Sequence, residues 1–297
     1  MKSIFVKSIR AVIYNSKFIL LFWAFNALMA LVLSVPIFYI LTDNLSRSLI
    51  NDKLMSGFDY TWYIQFQNLY KLHIEQMPLS IAFVVGIYTL VQTFFLGGLI
   101  SIFNLPQKNL YVDFFYGGVK YFYRFTKVLL VTLIFYTFVF LIIDWLGNLI
   151  STIFADSENE LFEFVLRLLT YLLLIFFIGI ITIISDYSKV SLAINDKKEA
   201  IKGIFTAIKF IKNNFNIAFI FFLIVAILGA TGAVLYNFIE KEIPRTPGYF
   251  LILSFVLQQM LIIFRLYIRM LFASTEVSLY KDLSAEQLHV ELKGEFN

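Results

Sequence analysis

Six uninterrupted apolar runs dictate what this chain can fold into: Phe18–Leu41, Pro78–Phe103, Val128–Ile150, Leu161–Ser185, Ile217–Ile239 and Tyr249–Phe272. About 20 mainly apolar residues carry a helix across the roughly 30 Å hydrocarbon core of a bilayer, and every run suffices. None alternates polar with apolar residues, as the strands of a transmembrane barrel do. The expectation is an all-α polytopic membrane protein with six transmembrane helices. Composition agrees, with 60% of residues apolar or aromatic and 15% charged, against roughly a quarter charged in a water-soluble domain. The first run is too long for a signal-peptide core and no small-x-small site follows it, so it reads as a signal anchor.

Orientation follows from the basic residues flanking the runs. Eighteen of the 24 Lys and Arg fall on one side. They include Lys2, Lys7, Arg10 and Lys17 before span one, Lys108, Lys120, Arg124 and Lys127 before span three, six lysines between Lys189 and Lys212, and Arg265, Arg269, Lys281 and Lys293 at the end. The other side holds Arg47, Lys53, Lys71, Arg167, Lys241 and Arg245, and is richer in acid (Asp156, Glu158, Glu160, Glu163, Glu240, Glu242). Both termini are therefore expected in the cytoplasm, with the chain in the inner (plasma) membrane. The net charge of +4 is an orientation signal and does not point to nucleic acid.

The chain repeats itself. Phe94-Phe95-Leu96-Gly97-Gly98 and the six residues after it lie over Phe176-Phe177-Ile178-Gly179-Ile180 and its continuation, and Lys189-Val190-Ser191-Leu192 lies over Glu276-Val277-Ser278-Leu279. Before the odd-numbered spans, Ser8-Ile9-Arg10 matches Gly118-Val119-Lys120 and Ala207-Ile208-Lys209. The reading is one integral membrane domain, 1–297, of three helix pairs (1–104, 105–190, 191–285) and a short tail, 286–297. Each pair is preceded by a cytoplasmic amphipathic helix, and all three point the same way. In Lys197–Lys212, Ile201, Ile204, Phe205, Ile208 and Ile211 form an apolar face opposite Lys198, Lys202, Thr206, Lys209 and Asn213. Asp196 with Glu199 three residues on has the spacing of a helix-start capping pair. Such helices suit the headgroup plane, Lys and Arg toward anionic lipid. On the outer side, Tyr60–Tyr70 is crowded with aromatics and reads as interfacial.

Ionisable groups at membrane depth are costly, so each is a candidate. Asp144 stands beside Trp145 near the outer end of span three, within reach of headgroup water. Glu163 and Arg167 are four residues apart and face each other on one helix. Arg265 and Arg269 share a face at the inner third of span six, with Asp186 and Glu276 at matching depth. The candidate anion- and lipid-binding residues are Arg265, Arg269, Lys189, Lys120 and Arg124. The candidate structural partners are Asp186, Glu276, Glu163 and Arg167. Arg265 is expected to pair with Asp186 or Glu276, leaving Arg269 for a lipid phosphate. Gln92, Asn26 and Thr182 suit interhelical hydrogen bonds, and Gly97, Gly98 and Gly179 suit close helix approach. There is no Cys and only His73 and His289, so no thiolate, His-rich metal site or cofactor is expected. No phosphate-binding loop, serine-hydrolase elbow, zinc-protease motif or pair of buried carboxylates is evident, and the reading is non-enzymatic.

Asp186-Tyr187-Ser188-Lys189, then Glu199-Ala200, Ala207-Ile208-Lys209 and the charged end of span six give the chain a further affinity. In these features and in layout it resembles uncharacterised families of bacterial six-span inner-membrane proteins and the membrane domain fused to some glycerophosphodiester phosphodiesterases. The resemblance covers most of the chain and implies an integral membrane role related to lipid. It carries no phosphodiesterase activity, since no catalytic domain is present. Expected partners are anionic lipid headgroups on the cytoplasmic side and a membrane protein. The reading is a lipid-interacting or partner-binding membrane module, with a transporter of lipid or a small amphipathic substrate as the alternative. A transporter should show paired breaks near mid-membrane, and Pro36 and Gly97-Gly98 do not make one.

Overall fold

Long apolar stretches rich in Leu, Ile and Phe satisfy every backbone group internally only as helices, and every described element of the computed structural model is helical. Residues 2–46, 50, 54, 59–104, 109–155, 160–244 and 248–295 are described, with side chains from 3 to 285. Arg47, Lys53, Lys108, Asp156, Glu158 and Arg245 lie outside them, as do the side chains of Lys2, His289 and Lys293. The helices are α1 (Lys2–Tyr14), α2 (Lys17–Leu45), α3 (Tyr60–Leu69), α4 (Lys71–Asn104), α5 (Leu110–Ile153), α6 (Glu160–Ile194), α7 (Ala200–Lys241) and α8 (Tyr249–Glu295). Six of them, α2 and α4 to α8, are long and apolar enough to cross a membrane. The chain is a multi-pass helical membrane protein.

Two of the three connectors are set off from their spans: α1 stands alone, and residues 200–213 are divided from span five by a kink at Asn214, whereas residues 110–124 run into span three as one helix of 44 residues. A 44-residue helix is about 66 Å long, more than twice the hydrocarbon thickness. The helix breaks follow asparagines at matching places in the repeat. Asn15, five residues after Arg10, ends α1 and donates to the Ala11 carbonyl at 2.7 Å. Asn214, five residues after Lys209, donates to the Phe210 carbonyl at 3.0 Å and has non-helical dihedrals (φ −127°, ψ 28°). An amide that bonds the carbonyl four residues back competes with the helix ladder. The matching residue after Lys120 is Phe125, fully buried, and α5 continues through it.

The helices form two compact units, Lys17–Gln92 and Met1–Ser16 with Thr93–Asn297, and α4 contributes to both. In the smaller unit, Gln92 donates to Asn26 at 3.2 Å and Phe25 stacks on Tyr88. Asp59 caps α3 by accepting from the Trp62 N–H at 3.0 Å. Trp62 and Tyr70 donate to Asn44 and Asp43 at the end of α2, at 3.0 and 2.8 Å, so the aromatic segment is tied to a span.

In the larger unit each connector packs by small residues on the basic end of a return helix. Gly98 and Gly117 have no room for a side chain, because a Cβ would fall 2.7 Å from the Phe114 carbonyl oxygen and 2.2 Å from the Ser101 Cβ respectively. A Cβ on Gly203 would meet Leu192 of α6 at 2.6 Å. Ser8 of α1 accepts at its carbonyl from Ser274 of α8 at 3.2 Å, and its hydroxyl meets Ser278 at 3.4 Å. Ser8, Gly118 and Ala207, which the sequence alignment superimposes, are all buried. Of the apolar face expected to meet lipid, Ile201, Phe205 and Ile208 are exposed, and Tyr111, Phe115 and Tyr123 of the connector before span three are exposed as well. Small residues let the helices approach closely, and Phe114, Tyr121, Phe210 and Ile211 are buried beside them. Gly179 is not such a contact, since its Cβ would meet only Phe222 at 3.7 Å.

Candidate functional site

The basic end of the larger unit holds most of its buried polarity. Ser185, Ser188, Lys189 and Ser191 of α6 and Ser274, Thr275 and Glu276 of α8 are all buried. Tyr280 of α8 donates to Ser191 at 3.1 Å, and Asn195 donates to the Tyr280 oxygen at 3.0 Å. Tyr121 of α5 donates to the Ala193 carbonyl at 3.2 Å. Interhelical bonds of this kind contribute about 0.6 kcal/mol each on average in a membrane. Ser191 and Ser278, equivalent in the repeated motif, thus tie α6 to α8 and α8 to α1.

Lys189 lies against Asp186, one turn back on α6, at 3.0 Å. Glu276, also 8% exposed, is within electrostatic reach of both. Buried Glu276 and half-buried Asp186 therefore both lie within electrostatic reach of one buried ammonium, an arrangement that residue spacing alone does not give. Lys189 and Glu276 are equivalent in the motif alignment, and that match is the signal that would have brought them together.

A second cluster joins α5 to the α6–α7 turn. Arg124 donates to Asp196 at 2.7 Å and to the Lys197 carbonyl at 3.2 Å, and Lys120 meets the other Asp196 oxygen at 3.2 Å. Asp196 does not cap α7, whose first turn is preceded by Glu199 making no side-chain cap. It follows the end of α6 in the left-handed region (φ 45°). This conformation costs a non-glycine residue roughly 1 kcal/mol. Hydrogen bonds from Arg124 and then Lys120 hold the Asp196 carboxyl below its ordinary value. Lys120 and Arg124, read as contacts for lipid anions, are thus engaged within the protein.

The pairing expected for Arg265 does not occur. Asp186 is taken by Lys189, Glu276 stays buried, and Arg265 is exposed with no hydrogen bond or ion pair among the described residues. Arg269, expected to contact a lipid phosphate, is half-buried and already engaged. With Ser254, Gln258 and Glu276 the two arginines form a polar stripe at spacings of four and seven, one face of α8 running about 33 Å along the helix. At the opposite end, Arg167 pairs with Glu163 at 2.7 Å, as their spacing predicts. No group of three or more His, Cys, Asp or Glu that could hold a metal ion exists among the described residues. No protein-family model matches the chain, and neither the curated proteins nor the solved structures contain a significant match to it.

Proposed function

We propose that this protein is a non-enzymatic membrane module that binds anionic phospholipid on its basic, cytoplasmic side, with Arg265 as the principal contact. The supporting observation is the exposed guanidinium of Arg265, within a span and met by no carboxylate among the described residues. A charge at membrane depth costs a few kcal/mol unless paired, and guanidinium matches phosphate with two parallel hydrogen bonds. The neighbouring charges strengthen the assignment: Lys120, Arg124 and Lys189 are spent on internal carboxylates. The lipid-related role agrees with the resemblance to six-span inner-membrane proteins. Native mass spectrometry of the purified chain with phosphatidylglycerol tests the reading. Arg265→Gln should lose most retained lipid, and undiminished retention would refute it.

The stripe on α8 favours a second reading, lipid transport. Ser254, Gln258, Arg265 and Arg269 extend over about 22 Å, most of the thickness of the hydrocarbon core, and Gln258 and Arg265 are exposed. Headgroups could step along them while acyl chains stay in the lipid. Fluorescent-lipid translocation in proteoliposomes distinguishes the readings, since a module that only binds lipid leaves the rate at that of empty vesicles.

A further inference from the structure

The end of α5 and α6 remote from the basic residues is built differently from their other end. Nearer the basic end, hydroxyl pairs hold the two helices together: Thr132 with Ser185 at 3.0 Å and Tyr136 with Thr182 at 2.8 Å. Beyond these pairs lies a cleft of about 350 Å³ lined by both helices. A Cβ placed on Gly147 in its wall would meet nothing within 4 Å. The cleft is lined by Asp144, Asn148, Ser151 and Arg167, with Phe140 and Tyr171 beside them.

Both charges in the cleft have unused valences. Arg167 is fixed by Glu163, which accepts from its Nε and Nη2 at 2.9 and 2.7 Å, and by Ser151, which accepts from Nη2 at 3.0 Å. Its Nη1 makes no bond among the described residues. Asp144 accepts one hydrogen bond, from Asn148 Nδ2 to Oδ2 at 3.3 Å, and its Oδ1 has none among the described residues. Glu163 already neutralises Arg167, so Asp144 leaves one formal negative charge in excess. A simple anion is therefore repelled. A ligand that brings an ammonium to Asp144 and an adjoining anionic group to Arg167 Nη1 satisfies both.

We propose that this cleft binds a primary ammonium linked to a phosphate, the chemistry shared by an ethanolamine phospholipid headgroup and soluble phosphoethanolamine. Asp144 Oδ1 and Asn148 Oδ1 are acceptors that need N–H donors, which a quaternary choline lacks. Ser151 is level with Arg167, and Asp144 lies seven residues, about 10 Å, further into the span. The ammonium is thus the deeper of the two groups. The site is separate from Arg265 and does not depend on it.

The test uses the full chain in detergent, with phosphatidylethanolamine, phosphatidylcholine and phosphatidylglycerol in native mass spectrometry and phosphoethanolamine in calorimetry. Two variants accompany it: Asp144→Asn, nearly isosteric, and Gly147→Leu, which fills open space. Retention of the ethanolamine lipid over the other two, reduced at least tenfold in both variants, supports the proposal with a lipid ligand. Binding of phosphoethanolamine alone, reduced to the same degree, supports it with a soluble one. Absence of both from the unaltered protein, equal retention of choline and ethanolamine lipids, or binding unchanged in the variants overturns it.

Discussion

The same helix pair, α5 and α6, is closed at one end and open at the other. At the basic end Lys120 and Arg124 clamp Asp196, hydroxyls pair across the interface, and Tyr121 reaches the Ala193 carbonyl. At the remote end Gly147 faces open space, and Asp144 and Arg167 keep bonding positions unfilled. Since an unmatched charge in a membrane is expensive, the closed end reads as architecture and the unfilled groups as places for ligands. By this criterion Arg265 belongs with Asp144, although it lies nearer the locked charges.

The largest effect should come from unbalancing the locked end. Lys189→Met leaves buried Glu276 and half-buried Asp186 without their cation, and removing one partner of a buried pair costs up to about 3–5 kcal/mol. A thermal melt in detergent should show a clear loss, and Glu276→Gln added to Lys189→Met should recover part of it. A melt unaffected by Lys189→Met would mean that the cluster is wetter than its burial implies.

Glycine substitutions test the contrast in packing. Gly98→Ala and Gly117→Ala place a Cβ 2.7 and 2.2 Å from atoms of the α4–α5 seam and should cost about 1–3 kcal/mol through forced separation. Gly147→Ala, with nothing near it, should instead be neutral or gain up to about 1 kcal/mol from helix propensity. If all three melts shift together, the cleft is as tightly packed as the seam and the comparison fails.

Asp196 gives the smallest effect. Its carboxyl is held below the ordinary value of 3.8, so its pairing stabilises the fold above that pH. The contribution is lost as pH falls through the lowered value. The side chain is more than half exposed, which limits the contribution to under about 1 kcal/mol. Asp196→Asn should therefore melt slightly lower at pH 7 and equally at pH 2. A difference that persists at pH 2 would point to backbone strain at φ 45° instead of charge.

These outcomes bear on what one sequence could reveal. The six spans were legible because an apolar run is a property of consecutive residues, and the Glu163–Arg167 pair because four residues make one helical turn. Partner choice between helices was not. Asp186 was assigned across the bundle to Arg265, whereas Lys189, three residues away, takes it without any need for a lateral neighbour. Asp196 had the spacing of a helix cap, but its partners lie more than 70 residues earlier in the chain, and no local pattern announces them. The glycine pairs at 97–98 and 117–118 were both visible, but only the fold places one against the other. The Asp144 cleft depends on which residues two helices bring together, which periodicity does not encode.

The central claim is that charges left unmatched by the protein are matched by lipid, and Arg265 tests it most directly. The purified chain is reconstituted with phosphatidylglycerol and phosphatidylcholine in equal amounts, and retained lipid is counted by native mass spectrometry for the unaltered protein, Arg265→Gln and Arg124→Gln. The account predicts selective phosphatidylglycerol retention, most of it lost in Arg265→Gln and kept in Arg124→Gln, whose guanidinium is already bound to Asp196. Equal retention in all three, or loss in Arg124→Gln with Arg265→Gln unaffected, would contradict it.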